Sequence, residues 1–232
     1  MTERQEKRIP ITGMRKQIYK NLVKSAFTIP HATGMDEVQV DALIAYKKVV
    51  DSEADVHITY LPIIIKLITQ VLEKYPIFNA TIDEDAREIV IRPDFNIGIA
   101  VATEEGLIVP VIKNVDKKTI AEIAVELNEL TDKARQGKLV LSNIVGGTFT
   151  ISNTGLRGGT YATPLINFPQ VAILGIHAMK ERPVILANRE IGIGTMMGVS
   201  LSFDHRIIDG ESVGYFMEEL KNLIEHPEKI KN

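Results

Sequence analysis

Residues 60–74, YLPIIIKLITQVLEK, hold the most apolar run of this 232-residue sequence and decide the architecture around it. Apolar side chains fall on most faces of the helix that their spacing predicts, so we expect this helix to be central and buried. Thr59 can cap its start, and Tyr75-Pro76 ends it, because the residue before a proline is disfavoured in the helical region. The run is shorter than the roughly 20 apolar residues that span a bilayer.

Further helices and strands are predicted on both sides of this helix. Upstream, the residue pattern predicts a helix, a strand and a second helix at residues 13–27, 31–40 and 41–52. Downstream, apolar runs between turn residues predict strands at residues 78–82, 89–91, 97–102, 107–112, 148–152, 171–175 and 197–203. A capping box of Thr119 and Glu122 opens a helix that Gly137 ends, and a last helix is expected at residues 211–225. This mixture predicts one α/β domain with a mixed β-sheet, residues 12–232, after an N-terminal arm or linker remnant, residues 1–11.

The composition excludes several kinds of chemistry. The sequence has no cysteine, which rules out disulfides, a thiol nucleophile and cysteine-ligated metals, so any reacting thiol must belong to a substrate. A net charge of −3 disfavours a nucleic-acid-binding protein. The charged N-terminus is unlike a secretory signal, and its acidic residues are unlike a mitochondrial transit peptide. We therefore expect an intracellular protein without a membrane anchor, located in the cytoplasm, or in the mitochondrial matrix of a eukaryote.

The segment SFDHRIIDG, residues 202–210, lies between an apolar strand and the last helix. His205 follows the strand directly, where a loop on a rigid framework can present a side chain to a substrate. Histidine is the side chain best suited to general-base catalysis near neutral pH. Taken alone, such a segment is more often a polar turn before a helix, in which His205 and Asp209 have only a structural role.

A second segment, GGTFTISNTGLRGG at residues 146–159, passes from a predicted strand ending at Ser152 into a glycine-rich loop. Glycines there permit positive φ angles and let a ligand approach the backbone closely. The segment lacks the spacing of a dinucleotide-binding or phosphate-binding loop, and Ser152 does not lie in a G-x-S-x-G elbow. Taken alone, it is an ordinary Asn/Gly turn.

Together these segments resemble the catalytic domain of the dihydrolipoamide acyltransferases, the core subunits of the 2-oxo acid dehydrogenase complexes. The resemblance rests on residues 146–176 and on SLSFDHRIIDG at residues 200–210, and it extends over residues 8–40, 60–83 and 96–116. It implies the two-layer α/β sandwich with a mixed sheet that this family shares with chloramphenicol acetyltransferase. It also implies an enzyme that exchanges an acyl group between dihydrolipoamide and coenzyme A, which is a substrate, without a metal ion.

The resemblance further implies the site residues. His205 matches the general base, Asp209 the acidic residue of the H-x-x-x-D-G motif, and Ser152 the hydroxyl that stabilises the tetrahedral oxyanion. Asp209 either orients the imidazole or has a structural role, with the imidazole held by its own main-chain carbonyl. Asp204 and Arg206 are expected to be structural charges that position the loop.

Contacts with coenzyme A are implied for a further group of residues: Lys47, Thr59, Ser152, Asn153, His177 and Met179. Related enzymes commonly have arginine at the position of Lys47. Lysine keeps the charge but loses the two-pronged hydrogen-bonding geometry that suits a phosphate.

The resemblance also implies an assembly. A homotrimer would place each active site between neighbouring subunits, with His205 and Ser152 coming from different chains, and trimers would assemble into a cubic or dodecahedral core. The lipoyl group would be supplied by a lipoyl domain that is not recognisable in these residues, and a peripheral-subunit-binding domain is not recognisable either. We therefore expect a truncation or a linker remnant at the start, with the 2-oxo acid decarboxylase and dihydrolipoamide dehydrogenase bound through those missing domains.

Two alternatives remain at this stage. One is an acetyl-CoA-dependent O-acetyltransferase of the chloramphenicol type, in which a histidine typically stands at the position of Asp204. The other is a non-catalytic core, which the combination of Ser152, His205 and Asp209 disfavours. The acyl group and the size of the core cannot be read from the sequence, although Ser152 followed by Gly158-Gly159 favours acetyl or branched-chain groups over succinyl.

Overall fold

The computed structural model describes residues 6–155, 159–186 and 188–231. Residues 1–5 of the expected arm and Gly158 of the glycine-rich loop lie outside this description. Within it, the helices are α1 (Gly13–Thr28), α2 (Asp41–Glu53), α3 (Tyr60–Lys74), α4 (Ile120–Arg135) and α5 (Gly210–Glu225). The strands are β1 (His31–Gln39), β2 (Ala80–Asp83), β3 (Glu88–Ile91), β4 (Ile97–Ile99), β5 (Val101–Thr103), β6 (Gly106–Ile108), β7 (Val111–Ile112), β8 (Phe149–Asn153), β9 (Ala172–Ile185) and β10 (Ile191–Asp204).

A six-stranded sheet in the order β1-β10-β9-β8-β4-β7 forms one layer of the structure. β8 runs parallel to both β4 and β9, and the other neighbours are antiparallel, so the sheet is mixed as predicted. Helices α3, α4 and α5 bury their apolar faces against it in one continuous core. β2 and β3, and likewise β5 and β6, form separate two-stranded sheets. The result is the expected two-layer α/β sandwich.

Helix α3 is the centre of that core, as its sequence predicts. Ten of its fifteen residues are buried, including Lys66, whose ammonium group donates hydrogen bonds to the backbone oxygens of Asp116 (3.1 Å) and Lys118 (2.7 Å). Such bonds offset the cost of burying a charge. Thr59 occupies the position before the helix, but its side chain makes no capping hydrogen bond.

Side chains on β8 alternate between the two faces of the sheet. Phe149 and Ile151 point into the core, whereas Thr150 and Ser152 belong to the opposite face, since successive residues of a strand point to opposite sides. Helix α1 covers part of this second face, where Ile29, Ile166 and Ile173 form a small apolar cluster. The fold thus places Ser152 outside the main core.

Some strands differ from their predicted extent. β9 and β10 each have fourteen residues and form a long hairpin whose far end is largely exposed. The segment predicted as a strand at residues 78–82 begins with a 3₁₀ turn, Pro76–Phe78, before β2. The predicted 97–112 hairpin is present but divided, because β4 and β7 join the main sheet while β5 and β6 pair separately.

No helix in the described ranges combines the length and the apolar character that crossing a membrane requires.

Candidate active site

His205 lies at the point where β10 ends and the chain turns toward α5. Its backbone N–H donates to the oxygen of Pro30 (3.0 Å), which ties the turn to the start of β1. Its side chain is exposed, with its ring centre 5.4 Å from that of Phe203. The fold therefore fixes the backbone of His205 and presents its imidazole to the outside.

Two charged neighbours hold this turn in place. Asp204 is 1% exposed, and its carboxylate accepts from Arg206 Nε (2.9 Å), Arg206 Nη2 (2.6 Å) and the Arg206 backbone N–H (3.0 Å). Arg206 Nη1 also donates to Glu84 Oε1 (2.8 Å), in the turn between β2 and β3. The hydrogen bonds to Asp204 raise the pKa of Arg206 above its already high usual value. These contacts agree with the structural role expected for both charges.

Asp209 caps helix α5. Its Oδ1 accepts the backbone N–H of Ser212 (2.9 Å), and within the described residues its carboxylate makes no hydrogen bond to His205. The bond from Ser212 lowers the pKa of Asp209, and the nearby His205 adds a smaller effect in the same direction. This geometry favours the structural one of the two roles left open for Asp209.

Ser152 lines a cavity of about 400 Å³ on the second face of the sheet, between α1, β6 and residues 164–167. None of the described side chains that line it carries a charge, and most are aliphatic, among them Ile18, Leu107, Val109, Ile144, Leu165 and Ile173. Asn21 Nδ2 donates to Asn167 Oδ1 (2.8 Å) at its border. The hydroxyl of Ser152 therefore adjoins an apolar space large enough for an acyl group.

Three of the residues predicted to contact coenzyme A line a second cavity, of about 300 Å³. Asn153, His177 and Met179 lie here together with Tyr60, the first residue of α3. Thr59 precedes Tyr60 at the N-terminus of α3, is exposed, and makes no side-chain capping bond. Such a position favours an anion.

Lys47 is already paired. Its Nζ lies 2.6 Å from Asp51 Oδ2, and both side chains are largely buried. Asp51 Oδ1 also accepts the backbone N–H of Ile58 (2.7 Å) and lies 3.0 Å from His57 Nδ1. The bond from Lys47 is the largest effect in lowering the pKa of Asp51 to about 2. Lys47 thus lies close to Thr59 in the chain's fold, but its charge is shared with a carboxylate.

Ser152 and His205 do not meet within one chain. Ser152 pairs with Gly175 on β9, and Gly175 pairs with Ser200 on β10, so these three residues lie level across the sheet. His205 is five residues beyond Ser200, which corresponds to roughly 16 Å along the strand. The register therefore keeps the two side chains apart within one chain.

Sequence reasoning missed Thr154 and Ser200, which hold His177 through hydrogen bonds from both sides (3.0 and 2.8 Å). One signal was available: Ser200 and Ser202 alternate with the apolar Val199, Leu201 and Phe203, which marks a polar second face on β10. Glu84 was also missed. Among the described residues, no three His, Asp or Glu side chains converge in a way that could hold a metal ion.

The family model and the curated relatives that match this sequence point to the same family. The family model of the 2-oxoacid dehydrogenases acyltransferase (catalytic domain) matches residues 3–231. The dihydrolipoyllysine-residue acetyltransferase component of the pyruvate dehydrogenase complex of Bacillus subtilis is 43% identical over 228 residues, which are 97% of this chain and 51% of that protein. The chain therefore spans about half the length of the curated relatives it matches.

Solved structures show the same fold. A probable dihydrolipoamide acetyltransferase of Listeria monocytogenes is 40% identical with a TM-score of 0.89, covering 98% of this chain and 97% of that one. Two structures are 34% identical with TM-scores of 0.92, covering 97% and 94% of the two chains. One is the cubic core of a pyruvate dehydrogenase multienzyme complex, and the other comes from a study of a serine, a histidine and an asparagine in the mechanism of the Azotobacter vinelandii dihydrolipoamide acetyltransferase.

A chloramphenicol acetyltransferase matches at 15% identity and a TM-score of 0.54, over 93% of this chain and 98% of that one. That similarity concerns the fold alone, and it confirms the fold class expected from the sequence.

Proposed function

The chain belongs to the family of 2-oxoacid dehydrogenase acyltransferase catalytic domains, and on that premise we propose that it transfers an acyl group between dihydrolipoamide and coenzyme A. One observation carries the proposal. His205 is an exposed imidazole on a turn that is held rigid by the ion pair between the buried Asp204 and the partly exposed Arg206, and by the backbone bond to Pro30. A general base needs this combination of fixed position and access to substrate.

His205 acts as the base toward a substrate thiol. A free thiol has a pKa near 8.5, so only a few per cent is thiolate at pH 7. The neutral imidazole takes the S–H proton while the sulfur forms a bond to the thioester carbonyl carbon. General-base assistance of this kind contributes about 10²–10⁴ in rate.

Ser152 acts on the oxygen that becomes negative. As the new C–S bond forms, the carbonyl electron pair moves onto oxygen, and the Ser152 hydroxyl donates a hydrogen bond to it. A well-placed donor of this kind is worth roughly 3–4 kcal/mol. Collapse re-forms the carbonyl, breaks the other C–S bond, and returns the proton from the imidazolium to the departing thiolate. One thioester replaces another, and no electrons are gained or lost.

The active site lies between subunits of a homotrimer in this proposal. The offset of about 16 Å between Ser152 and His205 supports it, because a single chain leaves the base without its oxyanion donor. A solved relative forms the cubic core of a multienzyme complex, which supports assembly of such trimers into a cubic or dodecahedral core.

We assign coenzyme A to the 300 Å³ cavity. Asn153 and Met179 line it, and His177 contributes ring surface. We assign the phosphates to the side of Thr59 and Lys47, neither of which lines the cavity itself. We assign catalysis to residues 12–232, with residues 1–11 as an arm. We propose lipoyl groups and the decarboxylase and dehydrogenase subunits as partners, because the relatives are components of such complexes. The proposed location is the cytoplasm, or the mitochondrial matrix of a eukaryote.

A coupled assay of acyl transfer from acetyl-, isobutyryl- and succinyl-coenzyme A to free dihydrolipoamide tests the function. The wild type should be active, and His205→Ala and Ser152→Ala should each lose at least about 10²-fold in kcat. His226→Ala, which removes an exposed histidine after α5, is the matched control and should remain active. Absence of transfer from every donor, or full activity of His205→Ala, would contradict the proposal.

A further inference from the structure

His177 is a buried histidine at an irregular point of the sheet. It is 4% exposed, and it lies where the β9–β10 register shifts, between the pairs Met197–Met179 and Val199–Ile176. One residue of β10, Gly198, there faces two residues of β9. Such a bulge redirects a side chain, and bulges are common beside active sites.

Both ring nitrogens of His177 have partners. Nδ1 lies 3.0 Å from Thr154 Oγ1, and Nε2 lies 2.8 Å from Ser200 Oγ, which is fully buried. A neutral imidazole offers one donor and one acceptor, and each hydroxyl can complement either. The ring therefore links the end of β8, through Thr154, to the middle of β10.

This link adjoins the proposed oxyanion donor. A Cβ atom on Gly175, the residue paired with Ser152, would lie 3.2 Å from two atoms of the His177 ring. The ring thus covers the position next to Ser152 in the sheet. Thr154, which follows Ser152 by two residues, is further fixed by its backbone N–H, which donates to the Ile176 oxygen (3.1 Å).

The backbone at Thr160 packs against the bulge at Gly198. A Cβ atom on Gly198 would lie 2.1 Å from the backbone oxygen of Thr160, so the chain at residue 160 crosses directly over the bulge. Only glycine fits at that position. Burial lowers the pKa of His177, which keeps the ring neutral at neutral pH and adds no charge beside the thioester.

We propose that His177 is a positioning residue for acyl transfer, which fixes the end of β8 through Thr154 and thereby aims the Ser152 hydroxyl at the oxyanion. The inference rests on the proposed function. Both nitrogens of His177 are already hydrogen-bonded, so its ring offers coenzyme A surface contact but no free polar atom. Its effect should therefore be larger on kcat than on the KM for coenzyme A. Small displacements of a catalytic group are costly, up to about 10²-fold for 1 Å.

The test is steady-state kinetics of the assembled wild type and of four variants: His177→Ala, Thr154→Val, the double variant and His177→Asn. We expect His177→Ala and Thr154→Val each to lower kcat about tenfold with the KM for coenzyme A within about twofold. The double variant should lose no more than either single one, because both remove the same link. Asparagine can replace Nδ1 toward Thr154, so His177→Asn should recover most of kcat.

Several outcomes would overturn the proposal. A raised KM for coenzyme A with unchanged kcat would make His177 a binding residue. Additive losses of kcat in the double variant would show that His177 and Thr154 act independently. A lowered melting temperature with unchanged kcat per folded particle would make the role merely structural. If His177→Ala does not fold, Thr154→Val and His177→Asn decide the question. An inactive wild type refutes the proposed function as well, whereas an active wild type with unaffected variants refutes this inference alone.

Discussion

Arg206 donates from both Nε and Nη2 to the buried carboxylate of Asp204, and these two residues flank His205 in the chain. The ion pair therefore fixes the backbone immediately before and after the proposed base. Arg206 also donates to Glu84, which ties the turn that holds His205 to the turn between β2 and β3. The position of the imidazole depends on this ion pair and on the backbone bond to Pro30.

Removing Arg206 should destabilise the protein and impair catalysis together. Arg206→Met leaves the Asp204 carboxylate buried and unpaired, which we expect to cost about 3 kcal/mol in the free energy of unfolding by urea. Arg206→Lys should have a smaller effect, because it keeps the charge but loses the two-pronged contact. Arg182→Met, which breaks a partly exposed pair with Glu37, is the control and should cost about 1 kcal/mol or less. Equal stability of the two methionine variants would refute the argument that the buried Asp204 carboxylate needs its partner.

Mixing two inactive variants should restore activity. If each site takes His205 from one chain and Ser152 from its neighbour, co-expressed His205→Ala and Ser152→Ala chains will form some sites in which both residues are intact. Random assembly makes about a quarter of all sites intact, so about a quarter of wild-type activity should return. The measurement is kcat per site after co-expression, against the separately expressed variants mixed without exchange. If co-expression restores nothing, each site belongs to a single chain.

Asp209→Asn should keep most activity, whereas Asp209→Ala should lose stability. Asparagine can still accept the Ser212 N–H that caps α5, and alanine cannot. Melting temperature and kcat should be measured for both variants. A loss of 10²-fold or more in Asp209→Asn with an unchanged melting temperature would show that the negative charge acts on His205.

Local patterns in the sequence predicted much of the fold. The burial of α3 follows from its all-round apolar surface, and the capping box of α4 forms as expected, with Thr119 and Glu122 bonding reciprocally. Gly137 adopts φ +65 just after that helix, as its position predicted. Each of these features depends on neighbours within a few residues, so the sequence records it directly.

Features that depend on distant contacts were not predicted. β9 and β10 extend through Pro183, Gly192 and Gly194, residues that disfavour strands, because each strand supplies the other's hydrogen bonds. The site shows the same limit. The resemblance implied that Ser152 and His205 act from different chains, but the bulge at His177 and the contacts of its ring were not predicted, because they arise from cross-strand register.

The stability of the protein should fall in mild acid partly because of His177. Burial holds its pKa below the usual 6.5, so between pH 6.5 and that lower value the unfolded chain binds more protons than the folded one. Stability therefore falls as pH decreases through this window. The free energy of unfolding of His177→Asn should vary less with pH between about 7.5 and 5 than that of the wild type. His226→Asn is the exposed control, and parallel curves for His177→Asn and wild type would contradict the assignment.

The cavity beside Ser152 should select the acyl group by charge rather than by size. Its volume of about 400 Å³ accommodates acetyl and isobutyryl groups, and each additional buried CH₂ is worth about 0.8 kcal/mol. A succinyl group carries a carboxylate, and none of the described side chains lining the cavity offers it a positive charge. We expect kcat/KM for the succinyl donor to be at least about 10²-fold below that for isobutyryl, since an unpaired buried charge is costly.

Variants of Gln17, which lines this cavity, test whether the acyl chain enters it. Gln17→Arg should raise kcat/KM for the succinyl donor, because the guanidinium group pairs with its carboxylate, and should leave the acetyl donor nearly unaffected. Gln17→Leu is the matched control and should not help the succinyl donor. If the wild type already uses succinyl as well as isobutyryl, or if both Gln17 variants respond alike, the acyl chain does not enter this cavity.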